Sequence, residues 1–344
     1  MSRYPRARVA LLAVLASAIV VNSVIALAGA QPADIVGRML SGTLGNPYGL
    51  GQWLARATPL MLTGASVALA LRAGLFNVGA EGQVTAGVLA AAVAGAALPA
   101  ATPAWLAVPA AALAAAAAGA LLGGLCGWLR GRFGAHEVVS TLMTNGLMAV
   151  LATWLYGGVL RDGAQVSTRP ILGAARVPTL DRIAPLFRGS SLNATVLLAL
   201  AIPFVVDRWL LRTSAGLRVR AVGDSHESAR AVGISVSATY TKTMAIAGAL
   251  AGLAATHFVL GVKGAAEDGL GAGVGFAGLA VAVIAQGRAL GLVAAALLMA
   301  LLAQGGLVVG AVVPADVLVV VQAVVLVAAA AVAVRWHAPR SVNP

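Results

Sequence analysis

The sequence predicts an all-α fold: a polytopic integral membrane helix bundle, formed as a single transmembrane domain over residues 1–344. Three observations predict it. The chain is 60% hydrophobic and 10% charged, whereas a soluble domain carries about 25% charged residues. No globular core hides that much apolar surface, so the surrounding solvent must be lipid. The apolar runs are continuous rather than alternating with period two, which excludes β-barrel spans. The basic residues sit at the ends of those runs, and only Lys242 and Lys263 are lysines. That is the pattern of the positive-inside rule, so the net charge of +12 points to membrane lipid and not to nucleic acid.

Taken in order, the first apolar run covers 9–29 and follows Arg3, Arg6 and Arg8. Ala28, Gly29 and Ala30 resemble a signal-peptidase site. The run exceeds the about 7–15 residues of a signal-peptide core, so it reads as a retained span. Further runs fall at 57–71, 78–98, 104–129, 137–160, 192–211, 240–262, 272–287, 289–310 and 315–334. With the first run they make about ten candidate transmembrane helices, most near the ~20 residues a bilayer requires. The second and eighth are short. With the N-terminus inside, fifteen of the 23 basic residues fall in inside segments, which predicts that both termini are cytoplasmic. On that orientation 161–191 is an extracytoplasmic loop and 212–235 a cytoplasmic one.

Small residues recur every four positions at Gly119, Gly123 and Gly127, at Gly248 and Gly252, and at Gly306 and Gly310. In lipid, that spacing lets helix backbones approach, so these read as packing seams. The single cysteine, Cys126, excludes an internal disulfide and a multi-cysteine metal site.

The most unusual stretch is 71–83. Asn77, Glu81, Gln83 and glycines at 74, 79 and 82 fall between two long apolar runs. Polar groups at membrane depth are tolerated where they face protein or a water-filled path. Two readings fit. Glu81 caps its own helix in an ordinary surface turn, where an acid at a helix N-terminus is favoured; or the stretch is a broken helix lining a substrate path. If the chain divides as five plus five inverted helices, the third helix of each half opens with glycines, at 74–82 and at 269–276. Glycine-interrupted segments at matching positions of inverted halves point to a transport site.

In the 212–235 loop, Ser225 can start a short helix and Gly233 can end it. A helix over 225–232 would carry Ala229 and Val232 on one side and Glu227 and Arg230 on the other. A docking helix for a cytoplasmic partner would look like this, as would a plain surface loop.

Catalytic patterns are missing. No Gly-Lys-Ser/Thr follows a glycine-rich loop, and His136-Glu137 and His226-Glu227 are followed by Ser140 and Arg230 where a zinc-protease helix needs histidine. There is no Gly-x-Ser-x-Gly elbow. His257, buried in an apolar run, reads as a packed, hydrogen-bonded residue. No cofactor or metal is implied.

Four blocks of the chain resemble the permease subunits of bacterial ABC importers for simple sugars and nucleosides, in the branched-chain amino acid/ribose permease superfamily. They are 58–64 with 75–83, which contains Asn-x-Gly-x-Glu-Gly-Gln from Asn77 to Gln83; 137–145; 216–233; and 275–282. Asp224 departs from the usual asparagine, and Gln286-Gly287-Arg288 from a more polar turn. The resemblance implies a transporter subunit of the bacterial inner membrane, not an enzyme. It would pair with a second homologous permease, receive substrate from an extracytoplasmic binding protein, and rely on separate cytoplasmic ATP-binding subunits. Asn77, Glu81, Gln83, Asn145 and Phe276 would line or shape the path. Arg220, Gly223, Asp224, Ala229, Arg230 and Gly233 would couple to the ATPase. Nucleoside is the first expected substrate, then a ribose-like sugar, then a branched-chain amino acid, for which no counter-ion is visible mid-span. The rival classes are an ion-coupled secondary transporter of a small polar solute and a membrane enzyme.

Overall fold

A computed structural model describes residues 4–336 apart from 28 and 183. Arg3 and Arg340, which entered the charge count, and Ala28 of the peptidase-like sequence lie outside the described residues. The chain is helical, with three isolated β-bridges and no ladder strand among the described residues. The helices are α1 (Tyr4–Leu27), α2 (Pro32–Leu44), α3 (Pro47–Leu71), α4 (Ala80–Ala97), α5 (Ala104–Phe133), α6 (Glu137–Gly157), α7 (Thr195–Arg212), α8 (Ser214–Asp224), α9 (His226–Ala231), α10 (Val236–Leu253), α11 (Val274–Ala285), α12 (Ala289–Val309) and α13 (Ala315–Trp336). A π-helical segment, His257–Lys263, extends α10.

Every predicted run is helical, but the count of ten spans is not confirmed. Among the described residues six helices are long and apolar enough to cross a bilayer, or seven if α1 and α2, bent by 99°, form one broken span. The reasons are local. α7 ends in Asp207, Arg208 and Arg212. α11 has only 12 residues, because Gly269, Gly271 and Gly273 hold positive φ just before it. Two helices were not foreseen, α2 and α8, and neither is a long apolar run.

α3 is the central helix, buried along nearly its whole length from Ala57 to Ala70. Around it, α5 and α10 cross along the predicted glycine seam. A Cβ on Gly119 would overlap the Gly248 carbonyl, one on Gly123 the Met244 carbonyl, and one on Gly252 the Ala115 carbonyl. A Cβ on Gly127 would come within 2.7 Å of the Tyr240 carbonyl, a somewhat looser contact. With apolar lipid on the outside, such backbone contact is what holds helices together. Gly306 and Gly310 make no comparable seam; a Cβ on Gly306 would meet its nearest neighbour at 3.6 Å and one on Gly310 at 3.4 Å. Instead Gly305 packs against Met39 of α2.

The 161–191 segment is not a free loop. Thr168 and Ile171 donate backbone hydrogen bonds to the Ala266 and Gly264 carbonyls, Val177 to Leu260, and Leu172 to Gly95. It therefore straps the ends of α4 and the α10 extension. Helix α7 separates this strap from α8 and α9.

Candidate functional site

The site is built where α4 and α11 begin. After α3 ends, Gly74 at φ +72° turns the chain, and residues 75–79 run back alongside α3. Asn77 donates to the Ser66 hydroxyl at 3.0 Å, which fixes how far they climb. On the other side the Thr63 hydroxyl, with one proton to donate, lies 3.1 Å from both the Val274 carbonyl and the Pro59 carbonyl of its own helix. Ser66 and Thr63 lie about 9 Å and about 13 Å above Arg72 along α3, at 1.5 Å per residue. Both α4 and α11 therefore begin beside the middle of α3 and not at its end.

The two helix starts touch. A Cβ on Gly275 would overlap the Glu81 backbone, so the approach requires glycine there. Glu81 Oε1 accepts from the Gly273 N–H at 2.6 Å and Oε2 from the Gly275 N–H at 2.8 Å. Glu81 therefore sits in the first turn of α4 and caps α11, which has no cap from its own chain neighbours. Of the two readings of Glu81, the own-helix cap makes no hydrogen bond to α4; the carboxylate instead meets the positive end of the α11 dipole from its place in the first turn of α4.

The remaining polar residues brace this junction. Asn77 and Gln83 form a reciprocal amide pair, 2.9 Å in each direction, and both are fully buried. Asn145 on α6 accepts from Gly82 N–H at 2.8 Å and donates to the Val78 carbonyl at 2.9 Å, so it clamps the turn entering α4. Phe276 is 49% exposed on α11, and Phe76, which the sequence did not single out, is 47% exposed in the rising segment. Thr63 and Ser66 were also missed; their only sequence signal is a hydroxyl pair within the apolar second half of α3.

At the other end of α3, Arg72 donates to the Gly287 carbonyl at 3.0 Å, joining α3 to the turn between α11 and α12. A Cβ on Gly223 would overlap the Arg72 carbonyl. Gly223 thus seats the end of α8 against the root of the rising segment. The predicted short helix forms as α9, with the Ser225 hydroxyl accepting from Ser228 N–H at 3.2 Å and Gly233 at φ +80° beyond its end. Ala229 and Val232 do not share a side: Ala229 is buried and Val232 is 74% exposed. Ala229 therefore anchors α9, because α9 stops at Ala231 and the chain turns before Val232. Asp224 and Arg230 are exposed, and Arg220 is half-buried.

His257 is packed as expected, its Nδ1 lying 3.2 Å from the Asn193 amide and 3.3 Å from the Thr195 hydroxyl. No group of three or more His, Cys, Asp or Glu that could hold a metal occurs among the described residues.

Among the described residues, six helices long and apolar enough to cross a bilayer, with two helix starts meeting at a polar junction, are features of a multi-pass membrane protein. The chain belongs to the branched-chain amino acid transport system / permease component family, whose model matches residues 49–330. It is an ABC importer permease subunit of the simple sugar/nucleoside type, a transporter component and not an enzyme, and family membership favours this over an ion-coupled carrier. It is 33% identical over 307 residues to a guanosine ABC transporter permease of Bacillus subtilis (strain 168), covering 86% of this chain and 85% of that one. It is 32% identical over 327 residues to a glucose ABC transporter permease of Haloferax volcanii, covering 92% and 84%. A nucleoside ABC transporter permease of Lactococcus lactis subsp. cremoris is 27% identical over 268 residues, covering 76% and 73%. No solved structure matches the chain. Membership implies association with ATP-binding subunits and a substrate-binding protein.

Proposed function

We propose that the chain passes neutral nucleosides across the bacterial inner membrane, with ribose-like sugars as the second substrate class. The observation that carries this is Glu81. In a carrier of anions, the positive ends of mid-depth helices are free to meet the substrate. Here a carboxylate of the chain already occupies the α11 start, and Asn145 Oδ1 takes the Gly82 N–H at the α4 start, so the junction offers no free positive end for a substrate carboxylate. That disfavours an amino acid and suits hydroxyls and base edges. The relatives named for guanosine, nucleosides and glucose support the same classes.

In this reading Glu81, Asn145 and Phe276 line the path, with Phe276 stacking on a ring, while Asn77 and Gln83 hold its wall. A second homologous permease faces the outward surface of α6, where Leu142, Met143, Leu147, Val150 and Trp154 are exposed. α1, α3–α7 and α10–α13 cross as ten spans in a five-plus-five arrangement, with both termini cytoplasmic. The ATP-binding subunits dock on α8 and α9 through Arg220, Asp224, Arg230 and the exposed Val232. Gly223 and Arg72 then relay their movement to the rising segment and the α11–α12 turn. ATP binding there shifts the bundle between inward- and outward-open states in proportion to its differential affinity for them.

The test is uptake into proteoliposomes holding the permease pair, its ATPase subunits and its binding protein. ATP-dependent uptake of guanosine exceeding that of ribose and leucine is expected. Leucine as the preferred substrate, or gradient-driven uptake by the chain alone, would overturn the proposal.

A further inference from the structure

Away from the Glu81 junction, a cavity of about 620 Å³ opens between α7, α8, the 232–235 linker and α10. Its walls are of two kinds. Arg218 and Lys242 supply two exposed cations, neither of which makes an ion pair among the described residues. No acidic residue lines the cavity. Val219, Ile234 and Ile246 supply an apolar floor. Thr243 also lines the cavity, and its hydroxyl, buried behind the surface, has no hydrogen-bond partner among the described residues.

The height of the cavity is fixed by its neighbours. Trp209 lies three residues before the end of α7, and a tryptophan at a span end belongs at the membrane–water interface. Lys242 lies on the second turn of α10, about 9 Å from its start at 1.5 Å per residue, a depth from which a lysine ammonium reaches the headgroup layer by extending its stem. Below it Ile246 continues the floor toward the hydrocarbon.

We infer that this cavity is a binding site for an anionic phospholipid, with the phosphate held between Arg218 and Lys242 and an acyl chain laid over Ile246 along α10. Charge complementarity selects an anionic headgroup, since basic pockets between helices recruit such lipids. The apolar floor selects a lipid over free phosphate, which would leave it uncovered. A bound lipid would hold α8 against α10 and stiffen the surface behind the proposed ATPase contacts. The inference rests on the membrane-spanning reading of α7 and α10, and it stands whether or not α8 and α9 dock an ATPase.

Native mass spectrometry of the purified full-length permease tests it, with phosphatidylglycerol, phosphatidylcholine or inorganic phosphate added separately. Retention of phosphatidylglycerol and not phosphatidylcholine is expected. Arg218→Gln with Lys242→Gln should lower that occupancy about 20- to 30-fold, the combined effect of two near-surface cations. Ile246→Trp, which fills the floor and keeps both cations, should also lower it, showing that the site needs an acyl slot. Equal phosphatidylglycerol retention in the double variant, or binding of inorganic phosphate with Ile246→Trp unchanged, overturns the proposal. A loss of guanosine uptake with lipid retention intact would instead count against the transport reading alone.

Discussion

Removing the Glu81 side chain is the most informative perturbation. In Glu81→Ala the Gly273 and Gly275 N–H groups lose acceptors that now lie at 2.6 and 2.8 Å. Hydrogen bonds to a charged acceptor contribute about 1.5–3 kcal/mol each when buried, but Glu81 is only half-buried. Water can replace part of each bond, so the loss approximates that of a single helix cap, about 1–2 kcal/mol. That is a factor of about 5–30 in the population of the docked junction. α11 has no other side-chain cap, so the effect concentrates at its first turn. Two assays apply: amide exchange across 269–280 and initial uptake rate in the reconstituted complex. Exchange at Gly273 and Gly275 should accelerate about 5–30-fold, and uptake should fall, while membrane yield and assembly with the ATPase stay unchanged. Glu81→Gln can accept only one of the two N–H groups and turns an amide donor toward the other, so it should not restore uptake. Wild-type exchange and full uptake in Glu81→Ala would refute the reasoning and leave Glu81 a passive surface residue.

Other expectations follow from single contacts. Asn145→Leu deprives Gly82 N–H and the Val78 carbonyl of partners and should cost about 1–3 kcal/mol, read as a lowered unfolding midpoint in detergent; an unchanged midpoint would mean water replaces the clamp. A double-mutant cycle on Asn77→Ala and Gln83→Ala should show coupling within the about 0.5–3 kcal/mol seen for contacting residues, and additive effects would remove the amide pair from the account. Gly223→Ala places a methyl on the Arg72 carbonyl and should leave ATP hydrolysis running without matched uptake, with Arg230→Ala weaker in the same direction; tight coupling in both would move the docking surface elsewhere. Gly119→Leu cannot fit against Gly248 and should abolish the folded protein, measured as loss of the monodisperse peak on size exclusion.

The spans and the α5–α10 seam were legible because both depend on local sequence: a run of apolar residues, or a glycine every fourth position. α9 was legible for the same reason, its Ser225 cap and Gly233 stop lying within nine residues. The helices α2 and α8 were not read, since neither is a long apolar run, although Pro32 and Asp34 open α2 and the Thr213 hydroxyl caps α8. The depth of the Asn77 stretch depends on its bond to Ser66, a tertiary contact invisible to hydropathy. Glu81 was recognised as unusual, yet its capping of α11 was not legible because its partners, Gly273 and Gly275, lie nearly 200 residues away. Asn77 and Gln83 were grouped with it by proximity in sequence, though their mutual pairing turns them into the protein.

The account depends most on water reaching the junction between α4 and α11. Single cysteines at Phe276, Phe76 and Asn77, placed in a Cys126→Ser background and probed with a membrane-impermeant thiol reagent in the assembled complex, test this directly. Phe276→Cys and Phe76→Cys should react and be protected by guanosine, while Asn77→Cys stays inert. Inert cysteines at both phenylalanine positions throughout ATP cycling would show a dry junction and contradict the proposed path.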